Sequence, residues 1–180
     1  MAKLREAGAY RRIKRPYVRT SKLRTKSYVK GAPHIKIAQY DMGDTKRTFP
    51  YELQLISDVA QQVRDNAIEA ARQTSVRYME LEAKTGWAMK IRAVPHHIIR
   101  EKALATGAGA DRFQQGMTLS FGKPSGHAAQ LKKGKVLFSF FVDKDKIAFA
   151  KEAARKARGK FPMHCSVKVF DLATGKEVAA

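Results

Sequence analysis

The segment TGAGADRFQQGM, residues 106–117, carries residue types that bind phosphates and nucleotides. It holds three glycines, the adjacent Asp111 and Arg112 and two glutamines, with no helix or strand period. Glycines let backbone N–H groups approach a phosphate closely, so the segment is either a nucleotide cradle or a finger that touches a larger partner. A Walker loop is excluded because no Gly-Lys-Ser/Thr follows, and Pro124 argues against a helix start after Gly122–Lys123.

The histidines do not form a metal-binding pattern. His96 and His97 are adjacent, and neighbouring side chains on a strand point to opposite faces. His164 is followed directly by Cys165, the single cysteine, so a cysteine-rich zinc site is excluded. We interpret the histidines as contacts to RNA phosphate or to backbone carbonyls, and we expect no metal.

Nucleophilic catalysis is not favoured either. Cys165 lies on a strand face with Val167 and Val169, where it is predicted to be a small buried hydrophobe. Asp111–Arg112 has no second carboxylate or nucleophile nearby, and is predicted to form a local salt bridge that shapes the loop. The sequence also lacks a cofactor motif. We therefore expect no enzymatic activity and no cofactor.

The charge indicates a polyanionic partner. The 180 residues contain 36 Lys and Arg against 16 Asp and Glu, a net charge of +20, with a pI of about 10.3. Residues 1–30 hold eleven of the bases and one acid, and residues 90–135 hold nine bases and two acids. Residues 58–84 are nearly neutral, with five acids and four bases, so only part of the surface is basic.

Half of the excess charge lies in residues 1–30, and residues 1–33 are predicted to form an extended arm that orders on RNA. Its tyrosines either stack on unpaired bases or anchor the arm to its own domain, and the sequence leaves both open. The predicted RNA-binding residues of the arm are Arg5, Arg11, Arg12, Lys14, Arg15, Arg19, Lys22, Arg24 and Lys26.

The elements that must position these residues follow from hydrophobic periodicity. Strands are predicted at 34–40, 49–57, 87–94, 135–143 and 164–170, with 135–143 central because its run is apolar on both faces. Helices are predicted from about Ala60 to Leu81, capped by Ser57 or Asp58, and over 145–158, with Gly159 as the stop. The connection between 95 and 134 is long enough to indicate a functional loop, placed at 103–130.

This order of elements predicts an α+β fold. We expect a compact two-layer sandwich of a mainly antiparallel or mixed sheet with two principal helices, a basic N-terminal arm and a long glycine-rich loop. The core domain is predicted over 34–172 and a short tail over 173–180. One cysteine, no membrane-length apolar run and no signal-peptide core together predict a cytoplasmic protein.

Three segments carry a family resemblance. KIRAVPHHIIREK (90–102), followed by GAGADRFQQGM and FGKPSGHAA, closely resembles the archaeal and eukaryotic L-ten-e (QM) branch of the universal large-subunit ribosomal protein sixteen family. IEAARQTSVRYM and KFPMHCSVKV fall where that family has its helix and terminal strand, so the likeness spans about residues 5–170. The short alanine-rich C-terminus and intact basic arm favour an archaeal member. Phe113, where some relatives have Leu, is a mild departure.

The resemblance implies a non-catalytic protein docked on large-subunit rRNA near the peptidyl-transferase centre. It implies a finger that reaches toward tRNA acceptor ends, formed by Gly107, Gly109, Asp111, Arg112, Gln114, Gln115, Gly116 and Met117. Supporting rRNA contacts are expected from Arg92, His96, His97, Arg100, Lys102, Lys123, Lys132 and Lys133.

We therefore predict a structural constituent of the large ribosomal subunit that helps to position aminoacyl-tRNA and acts in late subunit assembly. The expected partners are large-subunit rRNA, the acceptor region of aminoacyl- and peptidyl-tRNA, neighbouring ribosomal proteins and assembly factors, without a membrane or a homo-oligomer. A free-standing RNA- or DNA-packaging protein fits the charge but leaves the loop unexplained. An RNA-modifying enzyme would need a nucleophile or cofactor motif that the sequence lacks.

Overall fold

The computed structural model describes residues 5–13, 22–27, 29, 31–102, 104–105, 107–112, 114, 116–118 and 120–178. Two helices, α1 (Asp65–Glu82) and α2 (Ile147–Arg158), accompany two antiparallel sheets, which confirms the α+β class. Within these residues the strands are β1 (Asp41–Gly43), β2 (Tyr51–Ser57), β3 (Gln61–Arg64), β4 (Trp87–Ile91), β5 (His97–Glu101), β6 (Lys123–Leu131), β7 (Val136–Val142), β8 (Cys165–Asp171) and β9 (Glu177–Val178).

The larger sheet has the order β1-β4-β7-β2-β8-β9 and is built around β7. The apolar run of β7 is largely buried, as predicted. In the sheet it is flanked by β2 on one side and by β4 on the other. In β4, Met89 and Ile91 are buried and Lys90 is exposed, as the sequence predicts, but Ala88 is buried as well. Strands β2, β4, β7 and β8 therefore confirm four of the predicted strands.

Both helices pack against each other, and α2 also contacts β2, β7 and β8. The buried stripe of α2 consists of Ala150, Ala153, Ala154 and Ala157, so its backbone lies close to the sheet and to α1. The Ser75 hydroxyl of α1 donates to the carbonyl of Ala71, 2.9 Å away, and lies 3.4 Å from the carbonyl of Ala153. Gly159 follows α2 as predicted, but with right-handed backbone angles instead of the left-handed cap.

The smaller sheet has the order β3-β6-β5 and carries the basic segments. β6 pairs with β3 from Gln61–Leu131 to Arg64–Ala128, and with β5 from His97–Ala128 to Glu101–Lys123. Val63, Ala129 and Leu131 extend the hydrophobic core into this sheet, which α1 also contacts. The long connection predicted between 95 and 134 thus contains two strands, β5 and β6, and the described residues between them contain no further strand.

The strand predicted at 34–40 is wrong. The segment is not part of a strand, and two of its backbone N–H groups are bonded to carboxylates at the start of α1. The N–H of Lys36 donates to Asp65 at 3.2 Å, and that of Ala38 to Glu69 at 3.3 Å. The ring Nε2 of His127 lies 2.6 Å from the carbonyl of Pro33, which agrees with the interpretation that histidines contact backbone carbonyls.

The predicted start of the first helix is also wrong. α1 begins at Asp65, and Gln61–Arg64 before it form β3, so neither Ser57 nor Asp58 is a cap. The Ser57 hydroxyl instead donates to the carbonyl of Val59 at 2.6 Å. Val63 is buried as predicted, but in a strand. A single apolar residue between Gln62 and Arg64 has no periodicity that could distinguish a strand from a helix.

Cys165 is buried in β8, as predicted, and burial raises the pKa of its thiol to about 11. It therefore behaves as a small hydrophobe at neutral pH. None of the helices in the described part of the chain is long and apolar enough to cross a membrane.

Candidate nucleic-acid interface

The first described part of the arm, residues 5–13, is paired with the small sheet. The backbone N–H of Gln62 in β3 donates to the carbonyl of Arg11 at 3.0 Å, and its side-chain amide donates to the carbonyl of Tyr10 at 3.0 Å. The guanidinium of Arg64 donates to the carbonyl of Arg5 at 2.8 Å. The arm backbone is thereby held at the edge of the sheet, and the Arg11 and Arg12 side chains are left exposed.

Glu101, at the end of β5, binds two arm side chains. Its Oε1 lies 2.5 Å from Nε of Arg5, and its Oε2 accepts a hydrogen bond of 3.1 Å from the Tyr10 hydroxyl. The Arg64 guanidinium lies over the Tyr10 ring, 5.5 Å from its centroid. Of the two roles left open for the tyrosines, Tyr10 has the anchoring one, whereas Tyr17 and Tyr28 lie outside the described residues.

The arm and β5 enclose a groove of about 300 Å³ with a cationic lining. We call it the arm groove; its lining includes Arg5, Arg12, His97, Arg100, Lys102 and Met117. Glu101 is the acid in this lining, and it is already paired with Arg5. The remaining cations suit an RNA backbone, in which successive phosphates need several separate donors.

His97 is the partly buried member of the arm groove. Burial and the nearby Arg100 guanidinium lower the pKa of its imidazole from the ordinary 6.5. Its Nδ1 has no hydrogen-bond partner within the described residues. At neutral pH His97 is therefore a neutral donor or acceptor and not a further cation.

We expect acid to destabilise the fold through His97. The folded state disfavours the imidazolium, so its contribution to stability is complete above about pH 6.5 and is lost as the pH falls through the lowered pKa. Urea unfolding of the free chain at neutral pH and at about pH 5 measures the loss, and His97→Gln is expected to reduce it. An unchanged acid-induced loss in His97→Gln would show that His97 does not carry the effect.

The glycine-rich loop is closed at its base by hydrogen bonds. The Gln114 side-chain amide bonds Ala105 in both directions, accepting from its N–H at 2.8 Å and donating to its carbonyl at 2.9 Å. Lys102 donates to the carbonyl of Thr118 at 3.2 Å. Arg100 donates to the carbonyl of Phe121 at 2.9 Å, and its guanidinium lies 4.1 Å from the centre of the Phe121 ring.

Beyond this base, residues 107–109 of the loop are exposed. Ala110–Arg112 form a single 3-10 turn, in which the N–H of Arg112 donates to the carbonyl of Gly109 at 3.1 Å. The Arg112 side chain is exposed, and Met117 is 59% exposed. An exposed arginine and methionine on a loop that is fixed at its base can reach a partner while the sheet is bound to another.

Gly122 is required where the loop rejoins β6. Its φ is +77°, and a Cβ at this position would lie 2.8 Å from the carbonyl carbon of Glu101. We expect Gly122→Ala to lower the free energy of unfolding by about 1–3 kcal/mol and to expose the amides at the end of β5 to hydrogen exchange. Gly126→Ala is the matched control, because no atom lies within 4 Å of its added Cβ. Equal hydrogen-exchange protection of the β5 amides in the two variants would contradict a close contact between Gly122 and the backbone of Glu101.

The family model of ribosomal protein L16p/L10e matches residues 13–168. The chain belongs to this family. It is 41% identical over 174 residues to the large ribosomal subunit protein uL16 of Archaeoglobus fulgidus, covering 94% of this chain and 97% of that one. The uL16 proteins of Methanococcus maripaludis (41% identical, 97% of each chain) and Nanoarchaeum equitans (40% identical, 99% of this chain and 100% of that one) are similarly close.

Family membership confirms the coarse functional predictions. The chain is an archaeal-type ribosomal protein, a structural and non-enzymatic constituent of the large ribosomal subunit. The expected location in the large subunit, which is cytoplasmic in archaea, agrees with this membership. The resemblance drawn from the three sequence segments is thereby confirmed.

The structure brings some of the predicted site residues of this family member together and separates others. Arg5, Arg12, His97, Arg100, Lys102 and Met117 meet in the arm groove. Arg92 lies instead beside the large sheet, where its Nε donates to the Ser139 hydroxyl at 3.2 Å. His96 is exposed before β5, Lys123 begins β6, and Lys132 and Lys133 are exposed between β6 and β7.

The remaining predicted site residues belong to the arm and the loop. Arg11, Lys22, Arg24 and Lys26 of the arm are exposed, and Gly107, Gly109, Arg112, Gln114 and Gly116 lie in the loop. Asp111 is placed by its backbone in the 3-10 turn. Lys14, Arg15, Arg19 and Gln115 lie outside the described residues.

Three positioning residues were missed by the sequence reasoning, namely Gln62, Arg64 and Glu101. Gln62 and Arg64 carried no signal, because their strand was predicted as helix. Glu101 carried one: it is one of two acids in the basic block 90–135, and an isolated acid among bases often has a structural partner. Its partners lie at Arg5 and Tyr10, far away in sequence, and only the fold identifies them.

Proposed function

We propose that this ribosomal protein docks on large-subunit rRNA near the peptidyl-transferase centre and helps to position aminoacyl-tRNA, with a role in late subunit assembly. The arm (1–33) and the basic block 90–135 are the docking surface of the proposal. The loop within 103–130 is the tRNA-facing part, on a core of 34–172 with a tail at 173–180.

The convergence of arm and β5 on one groove is the observation that carries the docking proposal. Arg12 lines the same groove as Arg100 and Lys102, although the arm is distant from β5 in sequence. The cost of gathering like charges in one place is offset when phosphates bind there. Base-edge recognition is not required for this binding, since backbone contacts fix position and orientation.

The loop supports the second part of the proposal. It emerges from the strand that also lines the arm groove, so an rRNA bound in the groove fixes the direction in which the loop extends. Arg112, in the turn Ala110–Arg112, and Met117, which also lines the arm groove, are exposed and suit the phosphates and the bases of an unpaired acceptor end. Gln114 acts differently, because its amide closes the loop on Ala105.

The proposal separates docking from tRNA positioning. We expect Arg112→Ala with Gln114→Ala to leave the occupancy of the protein in large subunits near the wild-type value. Translation rate, or the yield of mature subunits, is expected to fall by about tenfold, because an open loop loses its contact geometry and a 1.4 kcal/mol loss is tenfold. Quantitative mass spectrometry of gradient-purified subunits gives the occupancy, and single-turnover peptide transfer gives the rate.

Arg112→Lys with Gln114 intact is the control, since it keeps both the charge and the loop closure. It is expected to lie close to wild type. If the alanine variant lost occupancy and activity to the same extent, a separate role of the loop would be refuted.

A further inference from the structure

A second basic cluster lies at the end of α2, outside the arm, the loop and the block 90–135. Residues 155–164 contain five basic or imidazole side chains and no acid: Arg155, Lys156, Arg158, Lys160 and His164. They occupy the last turn of α2 and the turn that leads to β8. We call this set the α2-end cluster.

Two members of the α2-end cluster have structural partners. The Arg155 guanidinium binds both carboxylate oxygens of Glu152, at 2.6 and 2.7 Å. The Lys156 ammonium lies over the Tyr78 ring at 3.9 Å from its centre, which links α2 to α1. These two contacts give Arg155 and Lys156 structural roles that require no external ligand.

The other three members are not explained in this way. Arg158, Lys160 and His164 are exposed, and their side chains make no hydrogen bond or ion pair within the described part of the chain. A cation in the last turn stabilises a helix through its dipole, which accounts for Arg158. Lys160 and His164 follow the end of α2, where this effect falls off.

The backbone at the end of α2 does not need these cations. The carbonyl of Ala157 accepts from the N–H of Lys160 at 2.9 Å, and that of Arg158 accepts from the N–H of Phe161 at 3.1 Å. These bonds satisfy carbonyls that a helix end otherwise leaves open. The exposed side chains are therefore available to a ligand.

A shallow cavity of about 600 Å³ lies at this cluster, and its lining does not include Lys160. The lining combines the basic Arg155, Arg158 and His164 with the apolar Phe161, Pro162 and Met163. The apolar part is fixed to the core, because the Phe161 ring packs edge-on against Phe138 with centroids 5.6 Å apart. The Ser57 hydroxyl also lies 3.3 Å from the Met163 sulfur. A ligand here meets a preformed surface, which reduces the entropy cost of binding.

We propose that the α2-end cluster binds the phosphodiester backbone of a second rRNA segment, separate from the one in the arm groove. The ligand must be anionic, because the cluster offers several donors and no acceptor carboxylate outside the Arg155–Glu152 pair. RNA supplies anions at regular spacing, and a chain of net charge +20 within a ribosome is surrounded by it. The inference rests on the proposed docking on rRNA.

Salt extraction of assembled large subunits tests whether the α2-end cluster contributes to the affinity of the protein for rRNA. Arg158→Ala, Lys160→Ala and His164→Ala together are expected to release the protein at lower salt. Two lost phosphate contacts weaken binding about thirtyfold at physiological salt, since each contributes a slope of about 0.9 in log affinity against log salt. Arg47→Ala with Lys168→Ala is the control, because it also removes two formal charges, from side chains outside the arm and the block 90–135 that are already paired with Asp143 and Glu177. Release of both variants at the same salt would overturn the proposal.

Photo-crosslinking identifies the ligand. A benzophenone side chain placed at Lys160 in assembled subunits is expected to crosslink to rRNA, and the same group at Arg12 serves as the reference in the arm. Crosslinks from position 160 to protein alone, or none while position 12 crosslinks rRNA, would overturn the α2-end proposal and leave the arm docking intact. If position 12 also failed to reach rRNA, the proposed function itself would be refuted.

Discussion

Reversing two charges of the arm, Arg11→Glu with Arg12→Glu, is expected to weaken binding to large subunits stripped of this protein by about 10²–10³-fold at physiological salt. Each phosphate contact contributes roughly fivefold under these conditions, and the two new carboxylates add repulsion to the two lost contacts. Both side chains are exposed in this structure, and the arm is held by backbone bonds to Gln62. The arm fold should therefore persist in the variant.

The salt dependence distinguishes this effect from a folding defect. The slope of log affinity against log salt is expected to become shallower by about two in the variant. Arg11→Lys with Arg12→Lys keeps both charges and should retain the wild-type slope. A variant that binds as tightly as wild type at every salt concentration would show that this part of the arm does not contact phosphates.

Truncating the ring at the centre of the core, Phe138→Ala, is expected to lower the free energy of unfolding by about 3–5 kcal/mol. Phe138 is fully buried in β7 and packs edge-on against Phe140 and Phe161, with ring centroids 6.4 and 5.6 Å away. The surrounding strands cannot close around the lost volume, because β7 is hydrogen-bonded to β4 and β2 on its two sides. A domain of this size is stable by about 5–15 kcal/mol, so a loss of this size removes a large fraction of its free energy of unfolding.

Urea unfolding followed by far-UV circular dichroism measures this loss at constant slope m. Leu81→Ala is the control: Leu81 is 65% exposed on α1, and alanine is a strong helix former, so its cost should be below about 1 kcal/mol. A Phe138 variant as stable as the Leu81 variant would contradict the position of β7 at the centre of the core.

The elements predicted correctly from the sequence are those whose hydrophobic pattern is local. The run in β7 and the alanine stripe of α2 each specify their burial within a few residues. β3 could not be predicted, because the buried Gln62 is satisfied by a partner far away in the chain. Its side-chain oxygen accepts a hydrogen bond of 3.1 Å from the side-chain amide of Gln130, 68 residues later. The segment 34–40 alternates like a strand, yet it lies against α1 because Asp65 and Glu69 accept its N–H groups.

The candidate site divides in the same way. Composition identified the basic segments, since charge needs no fold to be counted. It could not show that Arg12 shares a groove with Arg100 or that Arg92 lies elsewhere, because both depend on the pairing of β5 with β6 and of the arm with β3. Gln114 illustrates the limit most clearly: its residue type suits a ligand contact, and its side chain closes the loop.

Crosslinking from the loop to tRNA tests the central claim most directly. A photo-reactive side chain at Ala108, which is exposed in the loop and does not line the arm groove, would be placed in ribosomes that hold aminoacyl-tRNA. We predict crosslinks to the 3′ acceptor end of the tRNA, which disappear when tRNA is omitted. Crosslinks to rRNA alone, unchanged by saturating tRNA, would contradict a loop that positions the aminoacyl end.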